Sequence, residues 1–152
     1  MNVLPILKTD FIDVCESIIN GTLHKAPILF EEKATVCKYV VPDGYPANPE
    51  KDVPISMDNV PKESDKLRIY YAAVNKRQDG IYLTGSRAIA FVGIGNNLEE
   101  AEQIAENAAN RVKGPVRHRK DIGTYSLIQK RVDHMKKIVE GKKSLTPSCV
   151  SK

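Results

Sequence analysis

Apolar residues recur along this chain with two periods, and the switches between them lay out the elements. Phe11, Val14, Cys15, Ile18 and Ile19 follow helical spacing, with Thr9 as the expected N-cap, Asp10 and Asp13 in the first turn and Asn20-Gly21 as the stop. From Glu32 the period drops to two. Ala34, Val36, Lys38 and Val40 alternate with Thr35, Cys37, Tyr39 and Val41 as a strand, and Pro42-Asp43-Gly44 ends it in a turn. Gly44 to Pro61 contains Pro46, Pro49, Pro54 and Pro61 and reads as a long irregular loop. Arg68 to Val74 and Ile81 to Leu83 read as two further strands, joined by the polar turn Asn75 to Gly80. Ala88 to Ile94 is apolar throughout and bounded by Gly85 and Gly95-Asn96-Asn97, the pattern of a buried strand. Asn97 then caps a helix with Glu99 and Glu100 in its first turn. Its stripe of Leu98, Ala101, Ile104, Ala105, Ala108 and Val112 is rich in small residues, which predicts close approach to a sheet, and Gly114-Pro115 ends it. Val116 to Gly123 is a short basic, extended segment. Thr124 caps a last helix whose buried side is expected to be Leu127, Ile128, Val132, Met135, Ile138 and Val139, closed by Gly141, with a frayed tail over Leu145 to Lys152. At the front, Val3 to Leu7 reads as an extended apolar run in want of a neighbour. These elements predict an α+β fold: a mostly antiparallel sheet or small barrel-like hybrid from Glu32 to Ile94, with one helix before it and two after.

Composition narrows the class without choosing a function. At 152 residues the chain suffices for one core, and 41% hydrophobic with 28% charged residues is ordinary for a globular protein. A net charge of +4 is too mild to argue for nucleic acid unless clustered. Arg111, Lys113, Arg117, His118, Arg119 and Lys120 do cluster. Half of that run belongs to a helix C-terminus, where basic residues are expected, and no RNA-binding sheet motif accompanies it, so a basic nucleic-acid adaptor is the minor reading. Cys15, Cys37 and Cys149 form no CxxC and have no histidine at ligand spacing; they read as reduced thiols of a cytoplasmic protein. No membrane span, signal peptide or metal spacing among His24, His118 and His134 is visible. Gly93 and Gly95 make a GxG, but Leu98 stands where a dinucleotide fingerprint needs its third glycine, so the pair reads as a strand end.

The candidate chemistry centres on Arg87. It stands at the mouth of the buried strand beside Gly85 and Ser86, where a guanidinium, open backbone amides and a hydroxyl can together hold a phosphate or carboxylate. The same arginine would serve equally as a turn cap or the partner of a surface acid, the commoner fate of such a residue. Asp121, in Arg119-Lys120-Asp121-Ile122-Gly123, is either a site acid or half of a structural ion pair.

Four stretches, Gly44-Tyr45-Pro46, Leu83-Thr84-Gly85-Ser86-Arg87, Asn97-Leu98-Glu99-Glu100-Ala101 and Arg119-Lys120-Asp121-Ile122-Gly123, stand in an order that resembles the C-terminal domain of phosphoribosylamine-glycine ligase, also called glycinamide ribonucleotide synthetase. The resemblance runs from about Met1 to Thr124, and the Arg117-His118-Arg119 variant with the long loop points to an archaeal branch. Family members often carry Gly-Gly-Arg where Gly85-Ser86-Arg87 stands and His-Ala-Gly where Tyr71-Ala72-Ala73 stands, so no role of that histidine or second glycine carries over.

The resemblance implies an ATP-dependent carbon-nitrogen ligase of purine biosynthesis, joining glycine to 5-phosphoribosylamine through a glycyl phosphate, with ADP and phosphate released. Three parts are expected on this reading: residues 1–24 as the tail of the ATP-grasp core with a connecting helix, 25–124 as the ligase C-terminal domain, and 125–152 as a C-terminal helix and tail. No glycine-rich lid, lid lysine or paired metal-binding acids are present. ATP and Mg or Mn are therefore expected to be bound by the remaining ATP-grasp portion, that portion to be the physical partner, and the isolated chain to be inactive. The resemblance assigns Gly85, Ser86 and Arg87 to the substrate phosphate, with Tyr45, Arg119 and Asp121 as secondary candidates and no catalytic or metal-binding residue. A non-catalytic anion-binding or regulatory module is the alternative. Lacking the core it would pack against, the chain is also expected to expose a sizeable apolar surface.

Overall fold

The computed structural model describes residues 1–143. Its elements are α1 (Phe11–Ile19), β1 (Ala34–Pro42), β2 (Pro54–Ile55), β3 (Leu67–Tyr71), β4 (Val74–Arg77), β5 (Gly80–Leu83), β6 (Ile89–Gly95), α2 (Leu98–Ala109), β7 (Val116–His118) and α3 (Tyr125–Lys143). The strands form two antiparallel sheets, ordered β3-β6-β1-β7 and β2-β5-β4, neither closed into a barrel. The fold is α+β, with one helix before the sheets and two after the central strand.

β6 organises the molecule. All seven of its residues are buried, because it lies between β3 and β1 with α2 packed across β6 and β1. The alanines of α2 permit that approach: Ala101, Ala105 and Ala108 are fully buried. Gly93 and Gly95 complete it, since a Cβ at Gly93 would stand 2.0 Å from the Ala101 carbonyl oxygen and one at Gly95 would stand 2.8 Å from the Ala101 nitrogen. The GxG is a seat for a helix. Val40, Ile89, Phe91, Leu67 and Ala108 share one core with Leu83 and Ile55, so the smaller sheet caps the same interior. The Asn97 side chain accepts from the Glu100 amide, as its capping role requires, and Glu100 returns a bond to the Asn96 amide.

Several expectations are corrected. Leu4–Ile6 is a turn of 3-10 helix with Pro5 in its first positions, and only Leu7 bridges Phe30, so Val3 to Leu7 is not an extended run. Asp10, not Thr9, caps α1 by accepting from the Ile12 amide; the Thr9 hydroxyl instead donates to the Pro27 carbonyl. The stretch Arg68 to Val74 is two strands broken at Ala72 and Ala73, and Asn75–Arg77 belongs to β4, leaving Gln78-Asp79 as the hairpin turn. Pairing to β5 supplies what the polar sequence Asn75-Lys76-Arg77 does not. The 44–61 loop includes β2, and its Tyr45-Pro46 peptide is cis. α3 runs through Gly141, and its presumed buried side is open: Val132, Met135, Ile138 and Val139 are all exposed, as is Leu98 at the start of α2. No residue of α1 is buried, and Phe11, Ile12, Ile18 and Ile19 lie in water. The expected tail and Cys149 fall outside the described residues. None of the described helices is long and apolar enough to cross a membrane.

Candidate substrate-binding cleft

Alternation along β1 gives the large sheet two different faces. Val36, Lys38 and Val40 turn toward α2, while Cys37, Tyr39 and Val41 turn away from it. Those three residues floor a cleft of about 580 Å³ whose walls are Tyr45 and Pro46 from the turn after β1, Arg117, His118 and Arg119 from β7 and its exit, and Ile122. The Arg117 guanidinium donates to the Tyr45 carbonyl and so ties the two walls together.

Arg87 stands at the rim. It is exposed, and its guanidinium lies over the Tyr39 ring at 5.3 Å from the centroid. Among the described residues it has no carboxylate partner. The peptide that follows it is held between two neighbours, since the Arg87 carbonyl accepts from the Ala73 amide and the Ala88 amide donates to the Val40 carbonyl. Gly85 takes φ +90, a conformation side chains rarely adopt, and a Cβ there would stand 2.6 Å from Lys51 Cε. Lys51 therefore lies across the loop that carries Arg87.

The predicted residues divide. Arg87, Ser86 and Gly85 form one exposed or half-exposed loop that meets the cleft through the stack of Arg87 on Tyr39, and Tyr45 and Arg119 line the cleft itself. Arg119 is already occupied: its Nε and Nη2 bind both Asp121 oxygens at 3.0 and 2.6 Å. The pair raises the Arg119 pKa, and the Arg119 bonds hold the Asp121 carboxyl below the ordinary aspartate range. Asp121 is thus an ion-pair partner in this structure. Burial pushes the Cys37 thiol up, which keeps it protonated at neutral pH. Among the described residues no three His, Cys, Asp or Glu side chains come together to hold a metal ion.

Three groups went unseen in the sequence. Tyr39 and Arg117 join the cleft from different strands and Lys51 lies against Gly85; the outward register of Tyr39 on β1 was the available signal. On the other face of the sheet, Lys38 is 1% exposed and its Nζ donates to Glu102 Oε1 and Glu106 Oε2, both at 2.6 Å, and to the Lys120 carbonyl at 2.9 Å. Its three protons meet three acceptors. His118 adds a contact to the same Glu106 oxygen at 3.0 Å. Burial pushes Glu106 up, but bonds from Lys38, His118 and Asn110 outweigh it and leave the carboxyl below its ordinary value.

Residues 35–125 match the family described as "Phosphoribosylglycinamide synthetase, C domain". The chain is 51% identical over 140 residues to the phosphoribosylamine-glycine ligase of Methanococcus maripaludis, a match covering 92% of this chain and 32% of that protein. It is 49% identical over 138 residues to the enzyme of the same name from Methanosarcina barkeri, covering 91% and 31%. The crystal structure of phosphoribosylamine-glycine ligase from Thermotoga maritima aligns with a TM-score of 0.51 at 25% identity, over 70% of this chain and 27% of that one. The chain spans about a third of the length of the curated relatives it matches. With its central strand, α2 and β7 all inside the matched span, the chain belongs to the phosphoribosylglycinamide synthetase family, of which it carries the C domain.

Proposed function

We propose that this chain is one wall of the cleft in which a full ligase joins glycine to 5-phosphoribosylamine, an early step of purine synthesis driven by ATP. Arg87, with the Ser86 hydroxyl and the backbone of Gly85, holds the phosphate of the sugar substrate. The observation that carries this is an exposed arginine with the peptide that follows it held, stacked on Tyr39 at the rim of the cleft and free of any described carboxylate. Lys51 and Arg117 add positive potential on the approach, which suits a dianionic substrate. Tyr45 lines the cleft, and Arg119 becomes a second phosphate contact only by leaving Asp121. ATP with Mg or Mn is assigned to an ATP-grasp portion outside this chain, which spans about a third of its relatives' length. The exposed apolar residues of α1 are the surface this portion covers. The setting is the cytoplasm, in keeping with the free thiols of Cys15 and Cys37.

The test is kinetic and uses the full-length ligase carrying this domain. Removing one partner of a desolvated ion pair costs about 2–5 kcal/mol, so Arg87→Ala should raise KM for phosphoribosylamine at least ~30-fold while KM for glycine and ATP stays put. Arg87→Lys keeps the charge but loses the fork, and should recover only part of that loss. An unchanged KM for phosphoribosylamine would remove Arg87 from the site. The 152-residue chain alone should show no ATP-dependent ligation until the ATP-grasp portion is added.

A further inference from the structure

The last helix carries an apolar stripe that the rest of the described chain leaves open. Tyr125, Ile128, Val132, Met135 and Val139 follow at intervals of three, four, three and four residues, the a/d repeat of a helix that pairs with another helix. Val132, Met135 and Val139 are 41%, 55% and 47% exposed, and with Arg131, Lys136 and Glu140 they shape an open groove of about 530 Å³.

We propose that α3 pairs with α3 of a second copy of this chain as an antiparallel two-helix seam. The flanking charges choose both the partner's orientation and its register. In a parallel pair Arg131, a g position, meets Lys136, an e position of the other helix, on both sides of the seam, and that repulsion opposes association. An antiparallel pair centred between Asp133 and His134 sets Ile128 against Val139 and Val132 against Met135, in four layers related by a two-fold axis. On its flanks Arg131 faces Ile138 and Gln129 faces Lys136, so none of these pairs is like-charged. The exposed apolar area offered by the stripe with Leu98 and Ile138 is on the order of 500 Å² per copy, about 1,000 Å² for the pair, where specific interfaces begin. A two-fold contact closes on itself and gives a dimer, not a fibre.

Sedimentation velocity of the full 152-residue chain at tens of micromolar should give twice the 16.9 kDa chain mass. Met135→Glu should return it to 16.9 kDa with an unchanged far-UV spectrum, as should the milder Val132→Gln, while Ile12→Glu on the exposed α1 should leave the dimer intact. For orientation, copies carrying Ile128→Cys and copies carrying Val139→Cys, in a background with the native cysteines changed to serine, should oxidise to a mixed disulfide dimer and not cross-link alone. A monomeric parent, a dimer that survives both α3 variants, a dimer dissolved by Ile12→Glu, or cross-linking of Ile128→Cys to itself would each overturn the proposal.

Discussion

Replacing Lys38 by methionine keeps most of the volume of the side chain and deletes its charge and three hydrogen bonds. The ammonium is fully buried, while Glu102 and Glu106 retain 15% and 22% side-chain exposure. Its loss leaves two carboxylates beneath the sheet with no lysine between them and the Lys120 carbonyl without its donor. Breaking a buried pair by removing one partner costs about 3–5 kcal/mol. Here water reaches both carboxylates and His118 still meets Glu106, so the lower end, about 3 kcal/mol, is expected. For a chain of this size that is a fall in Tm of roughly 6–12 °C.

The pH dependence gives the sharper check. In the parent, Glu106 titrates below its ordinary value of 4.5, so it contributes stability that is present above that pH and lost as pH falls through the depressed pKa. In Lys38→Met the Glu106 carboxyl loses its lysine and is left facing Glu102, its folded-state value rises, and its protonation relieves the variant. The stability gap between parent and variant should therefore be widest near about pH 7 and shrink steadily toward about pH 4. Adding Glu102→Gln and Glu106→Gln to Lys38→Met should recover much of the loss at neutral pH, since no uncompensated charge remains. Urea melts at a series of pH values measure all of this. A Lys38→Met variant within about 1 kcal/mol of the parent, or a gap that does not change with pH, would refute the reasoning.

Gly93→Ala drives a Cβ into the Ala101 carbonyl, and because the neighbour is helix backbone it cannot step aside; a loss of about 3 kcal/mol or outright failure to fold is expected, read by thermal melting. Asn97→Ala removes the cap on the Glu100 amide and should cost about 1 kcal/mol in the same assay, with Asn97→Asp close to neutral. Lys66→Ala breaks a pair in which the lysine is 68% exposed, and its melting curve should lie within about 0.5 kcal/mol of the parent.

What could be read in advance was what depends on neighbours in the sequence. β6 declared itself by an unbroken apolar run, and α2 by a cap, two first-turn glutamates and alanines at helical spacing, because these patterns require burial whatever the partner. β4 did not, since three of its four residues are polar and its strand conformation is imposed by pairing to β5. α3 was legible as a helix but not as an exposed one: amphipathic spacing demands a partner for the stripe without saying whether the same chain supplies it. For the cleft, the glycine-bounded loop put Arg87 at a strand mouth, but the meeting of Tyr39, Tyr45 and Arg117 depends on β1 and β7 being neighbours, a fact of topology. Lys38 was the costliest omission. Its counter-charges lie 64 and 68 residues away, and the available clue was Glu102 and Glu106 placed one turn apart among the buried alanines of α2, where carboxylates do not remain without a cation.

The two faces of β1 are mechanically one object. Lys38 reaches down to Lys120 and, through Glu106, toward His118, while the next residue, Tyr39, reaches up to floor the cleft and carry Arg87. The residues on either side of Arg119 are thus pinned from beneath the sheet, and among the described residues the Arg119 guanidinium is held by exposed Asp121. A wall fixed by buried bonds at 118 and 120 keeps its backbone in place, which is what the proposed function asks of an arginine that would exchange an exposed carboxylate for a substrate phosphate. That division places the cost of rigidity in the interior, where a charge cluster can be saturated, and leaves at the surface an ion pair that is cheap to break.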